Sequence, residues 1–149
     1  MILERATLWM LEEDEKNQKK QPVIWSRVAS GVDGLIHAPL QGSIVGDCIR
    51  TGEIINIQDA YKDDRFNPEV DIKTGFHTTS VLAVPVKNQD GKVIGAIQMI
   101  NKQKEKTNVD KISEGDETSA AAAVFTEGDI KCVQMLCSHV ANFIRVVYA

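Results

Sequence analysis

Gln98 is the residue of this chain whose placement asks most plainly for a partner. It falls in the apolar run Val93 to Ile100, on the alternation that also carries Ile94, Ala96 and Ile100, and an amide on such a face needs a hydrogen bond once buried. Arg5 and Thr7 stand one alternation apart in a second strand-like run, so both project from one strand face. Lys102 leaves the end of the apolar run and Asp129 lies in the first turn of the last helical segment, where a carboxylate also suits the positive end of the helix. An ion pair between them would pin that helix to the sheet. Catalytic chemistry is not legible. His37, His77 and His139 have no carboxylate or nucleophile at a recognisable spacing, and no glycine-rich loop precedes a lysine. Of the three cysteines, Cys48, Cys132 and Cys137, no two form a Cys-x-x-Cys pair; Cys137 belongs to the apolar stripe of the last helix and reads as packing, not redox chemistry.

The elements that must position these groups follow from periodicity. Residues 5–11 and 23–28 are rich in β-formers and read as a hairpin, with the polar stretch Glu12 to Gln21 as its solvated loop. Leu35 to Leu40 gives a third short strand, Ser43 to Thr51 a brief helix stopped by Gly52, and Glu53 to Ile57 another strand. The segment from Ala60 to Lys73 mixes turn and helix signals and ends at Gly75. Ser80 to Val86 and Val93 to Ile100 form a central antiparallel hairpin through a turn rich in Asn, Asp and Gly. Residues 102–119 are too polar to bury and read as a mobile loop. At Thr126 a helix begins, with Thr126 and Asp129 as reciprocal caps and Phe125 and Ile130 as a hydrophobic staple; its apolar residues Ile130, Val133, Cys137, Val140, Ile144 and Val147 recur at spacings of 3 and 4. Trp9 and Trp25 read as core or interface residues. The expected fold class is α+β: a mixed, mostly antiparallel sheet with helices packed on it and a long C-terminal helix.

Bulk composition bounds the partner. At 149 residues and 43% apolar content the chain is one domain with a real core. A net charge of −4 gives no broad basic surface, which argues against nucleic acid or an anionic membrane as the principal partner. The odd cysteine count, and the absence of a leader pattern or an apolar run near 18 residues, point to a reducing, cytoplasmic setting. A strand-like run directly after Met1 suggests a piece of a longer chain.

The stretch Phe66 to Val86, with Gly42 to Gly46, Thr51 to Tyr61 and the pair Asn101-Lys102, resembles the GAF domains of cyclic-nucleotide phosphodiesterases and cyanobacterial adenylyl cyclases. The resemblance runs from Arg5 onward over a single domain, 1–149, without the family's preceding helix. The family's cyclic-nucleotide-binding motif of Asn, Lys, Phe, Asp and Glu is met by Asn101, Lys102, Phe125 and Asp129, with Ile130 in place of the Glu. Thr79-Ser80 and Ser43-Ile44-Val45-Gly46 also depart from the Arg-Asn and Gly-Ile-Ala-Gly of many members.

The resemblance implies an allosteric domain that binds cAMP or cGMP, with no further cofactor and no metal. Its ligand would meet the backbone of Ile44, Val45 and Asn67, the lid residues Asp71, Thr74 and Thr78, and Arg5, Thr7, Ser30 and Gln98. It further implies a homodimer through terminal helices and a relay to a catalytic domain outside the chain, most readily a phosphodiesterase. The alternatives are a ligand-free dimerising spacer and the regulatory domain of an adenylyl cyclase.

Overall fold

The computed structural model describes residues 1–12, 23–29, 34, 36–104 and 123–148. Strands β1 (Ile2–Glu12), β2 (Val23–Ala29), β3 (Ile36–Pro39), β4 (Ile55–Ile57), β5 (Val81–Lys87) and β6 (Val93–Gln103) form one sheet in the order β3-β2-β1-β6-β5-β4. Every described strand pair is antiparallel, in keeping with the expected mostly antiparallel sheet and without the parallel pair that a mixed sheet would hold. The first strand is thus central: β1 leaves its hairpin partner β2 on one side and pairs with β6 on the other, Arg5 opposite Ile100 and Thr7 opposite Gln98. Lys102 and Gln103 extend β6, so the polar loop starts later than its composition suggests; residues 105–119 of that loop, residues 13–22 between β1 and β2, and Ser30 lie outside the described residues.

Two helices close opposite faces. Helix α1 (Ile44–Thr51) begins where the Ser43 hydroxyl accepts the Gly46 N–H at 3.0 Å, and ends at Gly52, whose φ of 71° is the left-handed conformation that lets its N–H reach the Cys48 carbonyl. Its buried face, Ile44, Val45, Cys48 and Ile49, packs with Ile55, Ile57, Val81, Ala83 and Ala96. On the other face, helix α3 (Glu127–Tyr148) sets Val133 and Cys137 against Leu82, Val84, Val86, Ile97 and Met99, with Phe125 buried beneath its first turn. Burial pushes the Cys48 thiol up to about 12, aided by Cys137 and opposed by Lys87, and pushes Cys137 up to about 11. Both behave as core residues. By length and composition the span Glu127–Val147 is apolar enough to cross a membrane, contrary to the sequence expectation, yet its inner stripe is docked on β5.

One local irregularity corrects a face assignment. Val86 pairs with Gly95 but Lys87 with Val93, so β6 carries an extra residue at Ile94. Ile94 therefore packs on the α3 face, while Ala96, Gln98 and Ile100 share the α1 face.

Candidate functional site

The α1 face is roofed by the segment between β4 and β5. Asp59 opens it, its carboxylate accepting from the Tyr61 N–H at 3.2 Å at the start of a 3-10 turn, Ala60–Lys62. Arg65 then closes a two-pronged bond on Asp63 at 2.9 and 2.8 Å, which lowers the Asp63 carboxyl to about 2. The short helix α2 (Glu69–Thr74) follows and ends at Gly75.

Asp71 holds this roof together from inside. Its carboxylate, 7% exposed, accepts the Tyr61 hydroxyl, the Thr78 N–H and the Thr78 hydroxyl, each at 2.8 Å. The hydrogen bond to Asp71 raises the Tyr61 pKa above its ordinary 10. The resemblance implies that Asp71, Thr74 and Thr78 face a ligand. In the structure Asp71 and Thr78 face each other, and Thr74 is exposed, its hydroxyl donating to the Val70 carbonyl within α2. A buried carboxylate must find donors, and its own segment supplies them. Tyr61 also stacks on His77 with ring centroids 4.7 Å apart and touches Phe66 at 5.1 Å, an aromatic layer that the residue pattern did not reveal.

Beneath the roof, the sheet presents Arg5, Thr7 and Gln98 side by side, as the antiparallel register requires. The Arg5 guanidinium lies 3.8 Å above the Phe76 ring, tying β1 to the end of the roof. Gln98 has the partner its placement demanded: the Trp9 indole N–H donates to its Oε1 at 3.2 Å. Trp9, expected in the core or at an interface, packs on the α1-side core, and its polar edge has this second task. Along the same wall stands the start of α1, where Ile44 and Val45 are buried at the first two helical positions, whose N–H groups have no acceptor within a helix. The Asn67 side chain accepts the Glu69 N–H at 3.0 Å and turns the chain into α2. Ser30 lies outside the described residues.

The roof returns to the sheet through Asn101. Its Oδ1 accepts the Thr79 N–H at 2.6 Å and the Thr79 hydroxyl at 2.9 Å, while its Nδ2 donates to the His77 carbonyl at 2.8 Å. To do so Asn101 adopts φ of 59°, a left-handed conformation that asparagine tolerates better than most residues. The next residue points the other way: the Lys102 ammonium bonds the Asp129 carboxylate, which also accepts the Thr126 N–H at 2.8 Å. Burial pushes the Asp129 carboxyl up, but Lys102 and Thr126 together outweigh it and leave it below its ordinary value. Phe125 is held at the same joint, its carbonyl accepting from Asn56 Nδ2 at 2.9 Å. Two grooves among the described residues lie elsewhere, along α3: one beside the β5–β6 turn at Asn88 and Arg145, the other at Glu53, Pro85 and Gln134.

The family model for the GAF domain matches residues 1–144. A dual 3',5'-cyclic-AMP and -GMP phosphodiesterase 11A from Takifugu rubripes is 38% identical over 102 residues, covering 68% of this chain and 10% of the relative. A cGMP-specific 3',5'-cyclic phosphodiesterase from Drosophila melanogaster is 47% identical over 64 residues, 43% of this chain and 6% of the relative. The chain thus spans a tenth or less of these relatives. Among solved structures, the GAF domain of an Acinetobacter phosphoenolpyruvate-protein phosphotransferase aligns with a TM-score of 0.67 at 22% identity, covering 98% of this chain and 73% of that one. A type II free methionine-R-sulfoxide reductase from Thermoplasma acidophilum aligns at 0.63 and 16%, over 94% of this chain and 77% of its own. At such identities these two share the fold alone.

Proposed function

The chain belongs to the GAF domain family, and from that premise we propose that it is a regulatory domain that binds a cyclic nucleotide and relays binding to a catalytic domain outside these residues. The ligand sits between the sheet face of Arg5, Thr7 and Gln98 and the roof of residues 59–78. Its phosphodiester lies toward the first N–H groups of α1, which suit a singly charged anion without a lysine. Ile44, Val45 and Asn67 contribute backbone there, and the Asp71–Thr78 clasp keeps the roof in shape around the sugar. The parent protein is a 3',5'-cyclic-nucleotide phosphodiesterase, in keeping with the relatives' names, and the setting is cytoplasmic.

The observation that carries this reading is the adjacency of Asn101 and Lys102. One fastens the root of the roof, the other the start of α3, so a ligand that tightens the roof changes the strain on β6 where α3 begins. That is how one end of a packed domain biases another: a state of the roof favoured by ligand is also a state of the helix. Isothermal titration and thermal shift with cAMP and cGMP test it. Binding heat and a raised melting temperature with either nucleotide are expected; no response to both at high concentration contradicts the reading.

The outer face of α3 favours a second component. Met135, Leu136, Phe143, Val146 and Val147 are exposed there, Phe143 by 67% and Val146 by 75%. We read this stripe as the seam of a homodimer. In a ligand-free spacer the seam would remain and the titration would be silent.

A further inference from the structure

We propose that the bond from Trp9 to Gln98 makes the site read guanine in preference to adenine. The inference rests on the cyclic-nucleotide reading above and concerns which base edge that site accepts. An indole N–H is a donor only, so the atom of Gln98 facing it at 3.2 Å must be the carbonyl oxygen. Turning the amide over would set N–H against N–H. The end of Gln98 away from Trp9 is therefore the NH2 group, two donors and no acceptor.

Arg5 reinforces the same polarity. Opposite Ile100 on the same sheet face, it is the diagonal neighbour of Gln98, held with its Cζ 3.8 Å from the Phe76 ring centre, and a guanidinium has donors and no acceptor. Thr7, directly opposite Gln98, donates or accepts and so discriminates nothing. The polar floor thus offers donors from two fixed groups. A guanine presents O6 and N7, two adjacent acceptors; an adenine presents N7 beside an N6 amino donor, which would meet another donor here.

The test measures affinities for cGMP, cAMP and cyclic IMP, which keeps O6 and N7 but lacks the 2-amino group. Wild-type protein is expected to bind cGMP and cyclic IMP alike, both at least about tenfold tighter than cAMP. Trp9→Phe removes the donor that fixes the amide, and the preference should fall to within about threefold as Gln98 turns its oxygen to an adenine N6. Gln98→Glu, which keeps the shape and presents only acceptors, should weaken cGMP while sparing cAMP, and covers the case in which Trp9→Phe folds poorly. Equal wild-type affinities, a cAMP preference, or cyclic IMP behaving like cAMP would overturn the proposal while leaving cyclic-nucleotide binding intact. Silence with all three nucleotides would remove the underlying reading itself.

Discussion

Asp129 and Asn101 make single-residue claims that stability measurements can check. The Asp129 carboxyl is held below its unfolded value of 3.8, so its contribution is fully present above that value and is lost as pH falls through the folded one. With side chains only 14% and 13% exposed, Lys102 and Asp129 form a mostly buried pair, and Asp129→Asn should cost roughly 3 kcal/mol at neutral pH. In denaturant titrations at stepped pH, the gap between wild type and variant should narrow only below about pH 4. A gap that stays constant into strong acid would mean that the ion pair does not carry the effect. Asn101→Ala removes three hydrogen bonds and leaves an alanine at positive φ, an expected loss of about 3 kcal/mol. Asn101→Gly relieves only the backbone part, so the difference between the two variants measures how much is strain.

At the scale of elements, the close approaches are the vulnerable points. A Cβ on Gly46 would fall 1.7 Å from the Leu40 carbonyl oxygen, and one on Gly95 would fall 2.2 Å from that of Trp9, both backbone atoms that cannot swing away. Gly46→Ala should destabilise by about 1–3 kcal/mol or more and push α1 from its wall, read as a lower denaturation midpoint. Cysteine accessibility checks the helix packing: in the folded protein a thiol reagent should label exposed Cys132 quickly and reach buried Cys48 and Cys137 only on unfolding. Rapid labelling of Cys137 would contradict the docking of α3 on β5.

Local signals made these elements readable in advance. Thr126 and Asp129 cap each other within three residues, Ser43 and Gly52 bound α1, and the turn between β5 and β6 carries its own Asn and Gly. What escaped depends on non-local register. The bulge at Ile94 reverses the alternation on which the face of Gln98 was counted, and the bond from Trp9 to Gln98 exists only because β1 pairs with β6 across 89 residues of chain. The Asp71 clasp escaped for a related reason, since its donors Tyr61 and Thr78 approach only when the roof is folded.

The molecule as a whole is a sheet with a roof on one face and helix α3 on the other. Its exposed α3 stripe belongs to this scale: Leu136→Glu with Phe143→Glu should leave the fold of the single chain intact, because neither side chain belongs to its core, yet turn the proposed dimer into monomers in sedimentation. The coupling of roof to helix is the central claim, and amide hydrogen exchange with and without saturating cyclic nucleotide addresses it directly. Slower exchange is predicted both in the roof, residues 59–78, and in the first turns of α3 after Thr126, with the second effect lost in Asp129→Asn while the first persists. Protection confined to the roof in the wild-type protein would contradict the account.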